Sequence, residues 1–90
     1  MPHFALFYDY LPNVVERRAP FRPEHLELYR EWQSAGRLVM GGALGDPPHG
    51  ALIVFDVDSA ADVEEFAAGD PYVLNGLVTA RRVEPWAVVS

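Results

Sequence analysis

The chain has 90 residues, with 7 basic and 13 acidic side chains, so its formal charge is −6 at pH 7. All of the basic residues are arginine, and the sequence contains no cysteine. The missing cysteine excludes a disulfide framework, a thiolate nucleophile and a cysteine-based metal site. The acidic balance argues against a nucleic-acid partner, because proteins that follow a phosphate backbone need a basic face. We expect one domain over residues 1–90, located in the cytoplasm and without a membrane partner, since no apolar run approaches the length of a membrane span.

The predicted elements alternate between strands and helices. Strands are predicted over residues 3–10, 37–44, 51–57 and 77–89, helices over 23–35 and 59–69, a loop over 11–21 and a turn over 45–50. Pro23 suits the first turn of a helix, where its missing N–H costs nothing, and Gly36 suits the position after the helix end. Ser59 and Asp62 have the spacing of a capping box at the start of the second helix. Pro85 predicts that the last strand lies at a sheet edge or contains a bulge.

The order βαββαβ is typical of a ferredoxin-like α+β sandwich, in which both helices cover one face of a four-stranded antiparallel sheet. The strands nevertheless carry apolar residues on both faces. In the first strand, Leu6 and Tyr8 point one way while Ala5 and Phe7 point the other. A sheet face in contact with water is normally polar, so we predict that a second copy covers this face and that the protein is a homodimer or a higher homo-oligomer. The alternative is that these scattered apolar residues are simply exposed.

His25 is the helical residue that most strongly suggests chemistry. A rotation of about 100° per residue places it on the apolar stripe with Leu28, Tyr29 and Trp32, facing the sheet. With a carboxylate nearby, His25 suits the role of a general base. Helix periodicity by itself favours the alternative, a core histidine bonded to the backbone.

Asp70 is the candidate partner of His25. It would accept the imidazole N–H, fix the tautomer and hold the ring, as the acid of a catalytic triad does. Asp followed by Pro is also a common cap, here for a short helical turn after Asp70. The two roles are compatible because a carboxylate has two oxygens.

Three further side chains are candidate substrate contacts. Arg22 lies just before His25 at a helix N-terminus, a position that favours an anion such as a carboxylate or phenolate; an ion pair with a neighbouring glutamate is the alternative. Tyr8 and Tyr72 can supply hydroxyls to a cavity, although aromatic residues in an apolar pattern more often belong to the core. The three histidines lack metal-ligand spacing, so we predict no metal and no cofactor.

Three motifs resemble those of the YCII-related (YciI-like) proteins, and the resemblance covers nearly the whole chain. They are Arg22-Pro23-Glu24-His25-Leu26, then Gly36-Arg37-Leu38 leading to Gly41-Gly42, then Phe66 with Asp70-Pro71-Tyr72 ahead of the last strand. The resemblance implies a dimeric α+β barrel related to the muconolactone isomerase fold, with an active site built on a His–Asp pair that maps onto His25 and Asp70. One branch of the family is associated with dehydrochlorination of a chlorinated hydroxyquinol. Many members have Pro where this chain has Ala43, which implies a different pocket rim.

These observations predict a small cofactor-free enzyme that acts on a small anionic, aromatic or cyclic molecule. His25 would be the general base or acid, Asp70 its orienting partner and Arg22 an anion contact. Elimination or isomerisation following proton abstraction is the class of reaction that such a pair can catalyse. The alternative is a non-catalytic dimeric module that binds a small ligand or serves as an accessory protein, in which the His–Asp pair is structural.

Overall fold

The computed structural model describes residues 2–89. Its elements are β1 (His3–Tyr10), α1 (Val14–Arg17), α2 (Arg22–Ser34), β2 (Leu38–Leu44), β3 (Gly50–Asp56), α3 (Ala60–Gly69), α4 (Pro71–Leu74) and β4 (Val78–Trp86). The strand order is β2-β3-β1-β4, and every neighbouring pair is antiparallel. This is the ferredoxin-like α+β arrangement, and it confirms the fold predicted from the sequence.

The core lies between the two long helices and one face of the sheet. Leu6 of β1 and Phe55 of β3 pack there against Trp32 of α2 and Phe66 of α3. The three aromatic rings meet edge to face, with centroids 5.1–5.9 Å apart. This geometry is favourable for aromatic pairs and anchors both helices on the same side of the sheet.

The helix ends follow the signals in the sequence. Gly36 has φ 78° and donates its N–H to the Gln33 carbonyl, so the residue after α2 takes the left-handed conformation that glycine tolerates best. At α3 the Ser59 N–H donates to the Asp62 carboxylate at 3.3 Å, which confirms the predicted capping box. No helix within residues 2–89 combines the length and the apolar character needed to cross a membrane.

Two regions differ from the sequence prediction. The stretch predicted as a loop contains α1, because Val14 is buried against Tyr72 and Leu77 and this tertiary contact stabilises a short helical turn. The last strand ends at Trp86 instead of continuing to residue 89. Pro85 lies within β4 and opposite Phe4; β4 is an edge strand, as the proline predicted.

The sheet face that points away from the helices is apolar on β1 and β3, while on β4 it carries the Arg82–Glu84 ion pair, with the Arg82 guanidinium over the Phe7 ring. Phe7 pairs with Leu52 across β1 and β3, and Ala5 pairs with Val54. Trp86, at the end of β4, is 46% exposed. Within residues 2–89 no helix packs on this face, so the predicted two-sided apolar pattern is present in the folded chain.

Candidate active site

The first turn of α2 carries His25 toward the sheet. His25 is only 8% exposed, and Trp32, two turns further on, is also buried. This spacing puts both side chains on the inward face of the helix, as its periodicity predicted. The backbone N–H of His25 donates to the Phe21 carbonyl, so its helical position is fixed at the start of α2.

Asp70 occupies the junction between α3 and α4 and is fully buried. Its Oδ1 accepts hydrogen bonds from His25 Nδ1 at 2.8 Å and from the Tyr72 N–H at 3.0 Å. Its Oδ2 accepts from the Tyr8 hydroxyl at 2.8 Å. Three donors converge on the two oxygens, which suits the ionised form, since a carboxylate only accepts. The bond to Tyr72 also caps α4, so Asp70 fills both predicted positions, beside His25 and at a helix start.

Tyr72 packs flat on the imidazole. The two ring centroids are 3.8 Å apart and the ring planes differ by 4°. The stack fixes the plane of the His25 ring, while the hydrogen bond to Asp70 fixes its rotation within that plane. With Nδ1 donating to Asp70, Nε2 is the nitrogen that is free to act as a base or acid.

Tyr8 has a different position from the one expected of a substrate contact. Its side chain is 1% exposed and its hydroxyl donates to Asp70. A cavity lies beside His25, and Tyr8 is not among the described residues that line it. We therefore correct its assignment: Tyr8 supports Asp70 from the sheet, and its hydroxyl is already engaged.

The buried tyrosines predict a loss of stability in alkali. Burial raises the pKa of Tyr8 far above its ordinary value, and the charge of Asp70 raises it further. Burial also raises the pKa of Tyr10. The folded chain keeps these protons where unfolded tyrosines lose them, so the stability they contribute is complete below about pH 10 and declines as the pH rises further.

The measurement is guanidinium chloride unfolding at about pH 8 and about pH 11, on either side of tyrosine ionisation. Lysine and cysteine, which also titrate in that range, are absent from the sequence, so the tyrosines dominate the change. The Tyr8→Phe variant should lose less stability between the two pH values than the parent chain does. An equal loss in both proteins would contradict the assignment.

A cavity of about 350 Å³ lies beside the His–Asp pair. The wall contains His25, Leu26 and Tyr29 from α2, Ile53 from β3 and Tyr72 from α4. The volume suits a small organic molecule, and a mainly apolar wall with a few polar groups is typical of ligand sites.

Gly41 forms part of this wall from the edge strand β2. A Cβ atom at this position would lie 3.2 Å from the Ile53 side chain and 3.2 Å from the Leu52 carbonyl oxygen. A side chain there would therefore press on β3 and take space from the cavity. The sequence showed the glycine pair but gave no signal that Gly41 faces the site.

The mouth of the cavity is basic. Arg22, predicted as an anion contact, lines it together with Arg18 and Tyr10. Arg18 and Tyr10 were not predicted as site residues, because one lies in the stretch read as a loop and the other in a strand of core-like composition. His25, Asp70, Arg22 and Tyr72 are thus brought together at one place.

The fold and the site define a ferredoxin-like α+β protein in which a buried His–Asp pair lies beside a half-open cavity with a mainly apolar wall. The chain is similar to the 5-chloro-2-hydroxyhydroquinone dehydrochlorinase TftG of Burkholderia phenoliruptrix, solved with 2,5-dihydroxybenzoquinone; the TM-score is 0.79 at 22% identity, over 94% of this chain and 93% of that one. It is also similar to a dimeric ferredoxin-like protein from an uncultured marine organism, with a TM-score of 0.53 at 19% identity, over 100% and 96% of the two chains. At these identities the likeness establishes the fold.

The chain belongs to the YCII-related domain family, whose pattern matches residues 2–87. This confirms the resemblance drawn from the sequence motifs. An uncharacterized protein of Haemophilus influenzae is 27% identical over 96 residues, which span 97% of this chain and 98% of that protein.

Proposed function

We propose that the protein is an enzyme that uses His25 and Asp70 for acid–base chemistry on a small anionic ring compound, by elimination or isomerisation. One observation carries the proposal: His25 donates from Nδ1 to a fully buried carboxylate at 2.8 Å while its ring lines a cavity of about 350 Å³. A histidine held in this way presents a basic nitrogen of fixed direction to a bound molecule.

The proposed step begins with removal of a proton from a carbon next to a ring carbonyl. His25 Nε2 takes the proton, the C–H electron pair forms a C=C bond, and the carbonyl π pair moves onto oxygen to give an enolate. Asp70 stabilises the imidazolium that results. When the carbonyl re-forms, the C=C pair can expel a leaving group from the next carbon, which is elimination. Where a second C=C is conjugated with the enolate, its electron pair shifts along the chain instead and takes the proton back from His25 at the far carbon, which is isomerisation. The step uses protein side chains alone.

The likeness to a dehydrochlorinase supports this choice of reaction. That enzyme is named for loss of chloride from a hydroxylated ring, and its solved complex holds a dihydroxybenzoquinone. The apolar surfaces of Leu26, Tyr29 and Ile53 in this cavity suit the faces of a flat ring. Arg22 at the mouth suits an anionic substituent.

The experiment is a screen for proton abstraction that does not depend on knowing the product. Small cyclic ketones, hydroxyquinones and halogenated phenols are incubated with the protein in D₂O, and loss of C–H signals is followed by proton NMR. Halide release is measured in parallel. We expect exchange or elimination with the parent chain and its loss in His25→Gln. His49→Gln is the matched control, because His49 lies outside this cavity, in the wall of a separate groove.

The same experiment distinguishes the proposed enzyme from the alternative, a ligand-binding module. A compound that binds in the cavity but shows no exchange, elimination or isomerisation would point to a ligand-binding module with a structural His–Asp pair, and would overturn the proposed activity.

We also propose that the protein is a homodimer that buries the outer face of the sheet. Phe7, Leu52 and Val54 lie on that face, and Trp86 and Met40 at its margins are 46% and 62% exposed. An exposed apolar patch bordered by polar residues, here the Arg82–Glu84 pair of β4, normally marks an interface. The similar fold solved as a dimeric ferredoxin-like protein supports a pairing of two copies.

Light scattering should therefore give twice the chain mass of 10.0 kDa. Leu52→Asp places a charge in the middle of the face and should shift the mass toward the monomer, because an unpaired charge is costly to bury. Val15→Asp is the control, since Val15 is 46% exposed on α1, away from the sheet. A monomeric parent chain would contradict the dimer, as would an equal response of the two variants.

A further inference from the structure

The Tyr72 hydroxyl is buried and its hydrogen bonding is incomplete. The residue is 1% exposed, its hydroxyl oxygen forms no hydrogen bond of normal geometry within residues 2–89, and the Arg22 guanidinium is the donor beside it. The other parts of Tyr72 are accounted for, because its N–H donates to Asp70 and its ring stacks on His25. A buried hydroxyl with unfilled hydrogen-bonding capacity is unfavourable. Tyr72 lines the cavity, so a ligand oxygen bound there would complete its hydrogen bonding.

Two guanidinium groups share the cavity wall with this hydroxyl. Arg18 lies at the end of α1 and Arg22 begins α2, and both line the cavity that Tyr72 lines. Neither arginine makes an ion pair with another residue of the described range 2–89. Burial raises the pKa of Tyr72. Arg22 opposes this rise as a hydrogen-bond donor to the hydroxyl and through its charge, and the charge of Arg18 acts in the same direction.

The start of α2 adds positive potential at the same place. The helix has 13 residues, and no side chain caps its N-terminus. Pro23 has no N–H and the His25 N–H already donates to the Phe21 carbonyl, so the main contribution of the first turn is the positive end of the helix dipole beside Arg22. One negatively charged oxygen bound here would accept hydrogen bonds from the Tyr72 hydroxyl and from the two guanidinium groups. The positive end of the α2 dipole would stabilise the same charge.

We propose that Tyr72, Arg18 and Arg22 form an oxyanion subsite that binds an ionised ring hydroxyl, so that the preferred ligands are phenolates and enolates. The flat, apolar part of the cavity then holds the ring, and the ring hydroxyl lies at the basic mouth. The assignment deepens the proposed function, since the same subsite would hold the oxygen on which charge develops when His25 removes a proton. Binding of the anion itself does not require His25 to be a base.

The test uses 4-nitrophenol, whose phenolate form absorbs visible light and whose phenol form does not. Titration with the parent protein at a series of pH values gives the affinity for each form. We expect the phenolate to bind more tightly than the phenol, so that the bound probe ionises at lower pH than the free probe. Equal affinity for the two forms, or no binding, would overturn the proposal.

Two variants test the assigned residues separately. Tyr72→Phe keeps the ring that stacks on His25 and the N–H that binds Asp70, but removes the hydroxyl. Arg18→Met keeps an apolar side chain of similar length without the charge. Each should weaken phenolate binding about tenfold or more, the effect of losing one hydrogen bond to a charged group. Unchanged phenolate affinity in both would overturn the assignment.

Two controls separate the subsite from the catalytic proposal. Arg17→Met removes the neighbouring charge, which is exposed and outside the cavity wall formed by residues 2–89, and should change the affinity less than about twofold. His49→Gln changes a histidine outside the wall of this cavity and should leave phenolate affinity unchanged. Because 4-nitrophenol binding is measured without turnover, the phenolate affinities of Tyr72→Phe and Arg18→Met test the subsite whether or not the parent protein catalyses a reaction. A loss of affinity in Arg17→Met as large as in Arg18→Met would contradict the subsite and indicate general charge attraction.

Discussion

Replacing His25 by glutamine is expected to slow proton abstraction by about 10²–10⁴-fold, the usual contribution of a positioned general base. Glutamine is of similar size, and its amide can still donate to the buried Asp70, so the polar network keeps a donor. The amide cannot accept a proton from carbon, and the loss falls on the chemical step. The measurement is the exchange or turnover rate at saturating substrate, compared with the parent chain at one pH.

The structural cost of this variant must be separated from its chemical cost. Circular dichroism and the denaturant midpoint of His25→Gln should show a folded protein. His49→Gln, which removes a histidine that contributes no wall to the cavity, should turn over substrate like the parent chain. If His25→Gln remained as active as the parent chain, His25 would not be the base and the proposed reaction would be wrong.

The fold could be predicted from the sequence because its signals are local. Alternation along β1 and β3, the glycine at position 36 and the Ser59 capping box each depend on residues close together in the chain. The short helix α1 could not be predicted in this way. It depends on contacts between Val14 and the distant residues Tyr72 and Leu77, which no local pattern records.

The same distinction between local signals and long-range contacts applies to the residues of the candidate site. Helical periodicity turned His25 inward and Asp-Pro marked Asp70 as a helix start, but both patterns also fit purely structural roles, and it was the resemblance to the YCII-related proteins that favoured the pair as a site. The role of Tyr8 could not be found, since its contact with Asp70 joins residues 62 positions apart and its aromatic character resembled that of the core around it. Arg18 was missed because it became part of the cavity wall only through the turn that α1 makes. Local sequence thus identified the chemical groups, and tertiary packing decided which of them meet.

Replacing Asp70 by alanine is expected to lower the free energy of unfolding by roughly 3–5 kcal/mol, because removing one member of a buried polar pair leaves the others unpaired. The Tyr8 hydroxyl, the Tyr72 N–H and His25 Nδ1 would all lose their acceptor. Whole domains are commonly stable by only about 5–15 kcal/mol, so the loss is a large share of the total. It is measured as the shift in urea unfolding at one fixed protein concentration, since a dimer's stability depends on concentration.

Asp70→Asn is the variant that separates stability from function. The amide oxygen can accept from His25 and from the Tyr72 N–H, while the amide N–H₂ can donate to Tyr8 if that hydroxyl rotates to accept. We therefore expect a smaller loss of stability, about 1–2 kcal/mol, the range for one altered buried hydrogen bond. Turnover should still fall by at least about 10²-fold, because a neutral amide does not stabilise the imidazolium that forms when His25 takes a proton. If Asp70→Asn were as active as the parent chain, the negative charge of Asp70 would not be used in the reaction. If Asp70→Ala were as stable as the parent chain, the three donors would not depend on the Asp70 carboxylate.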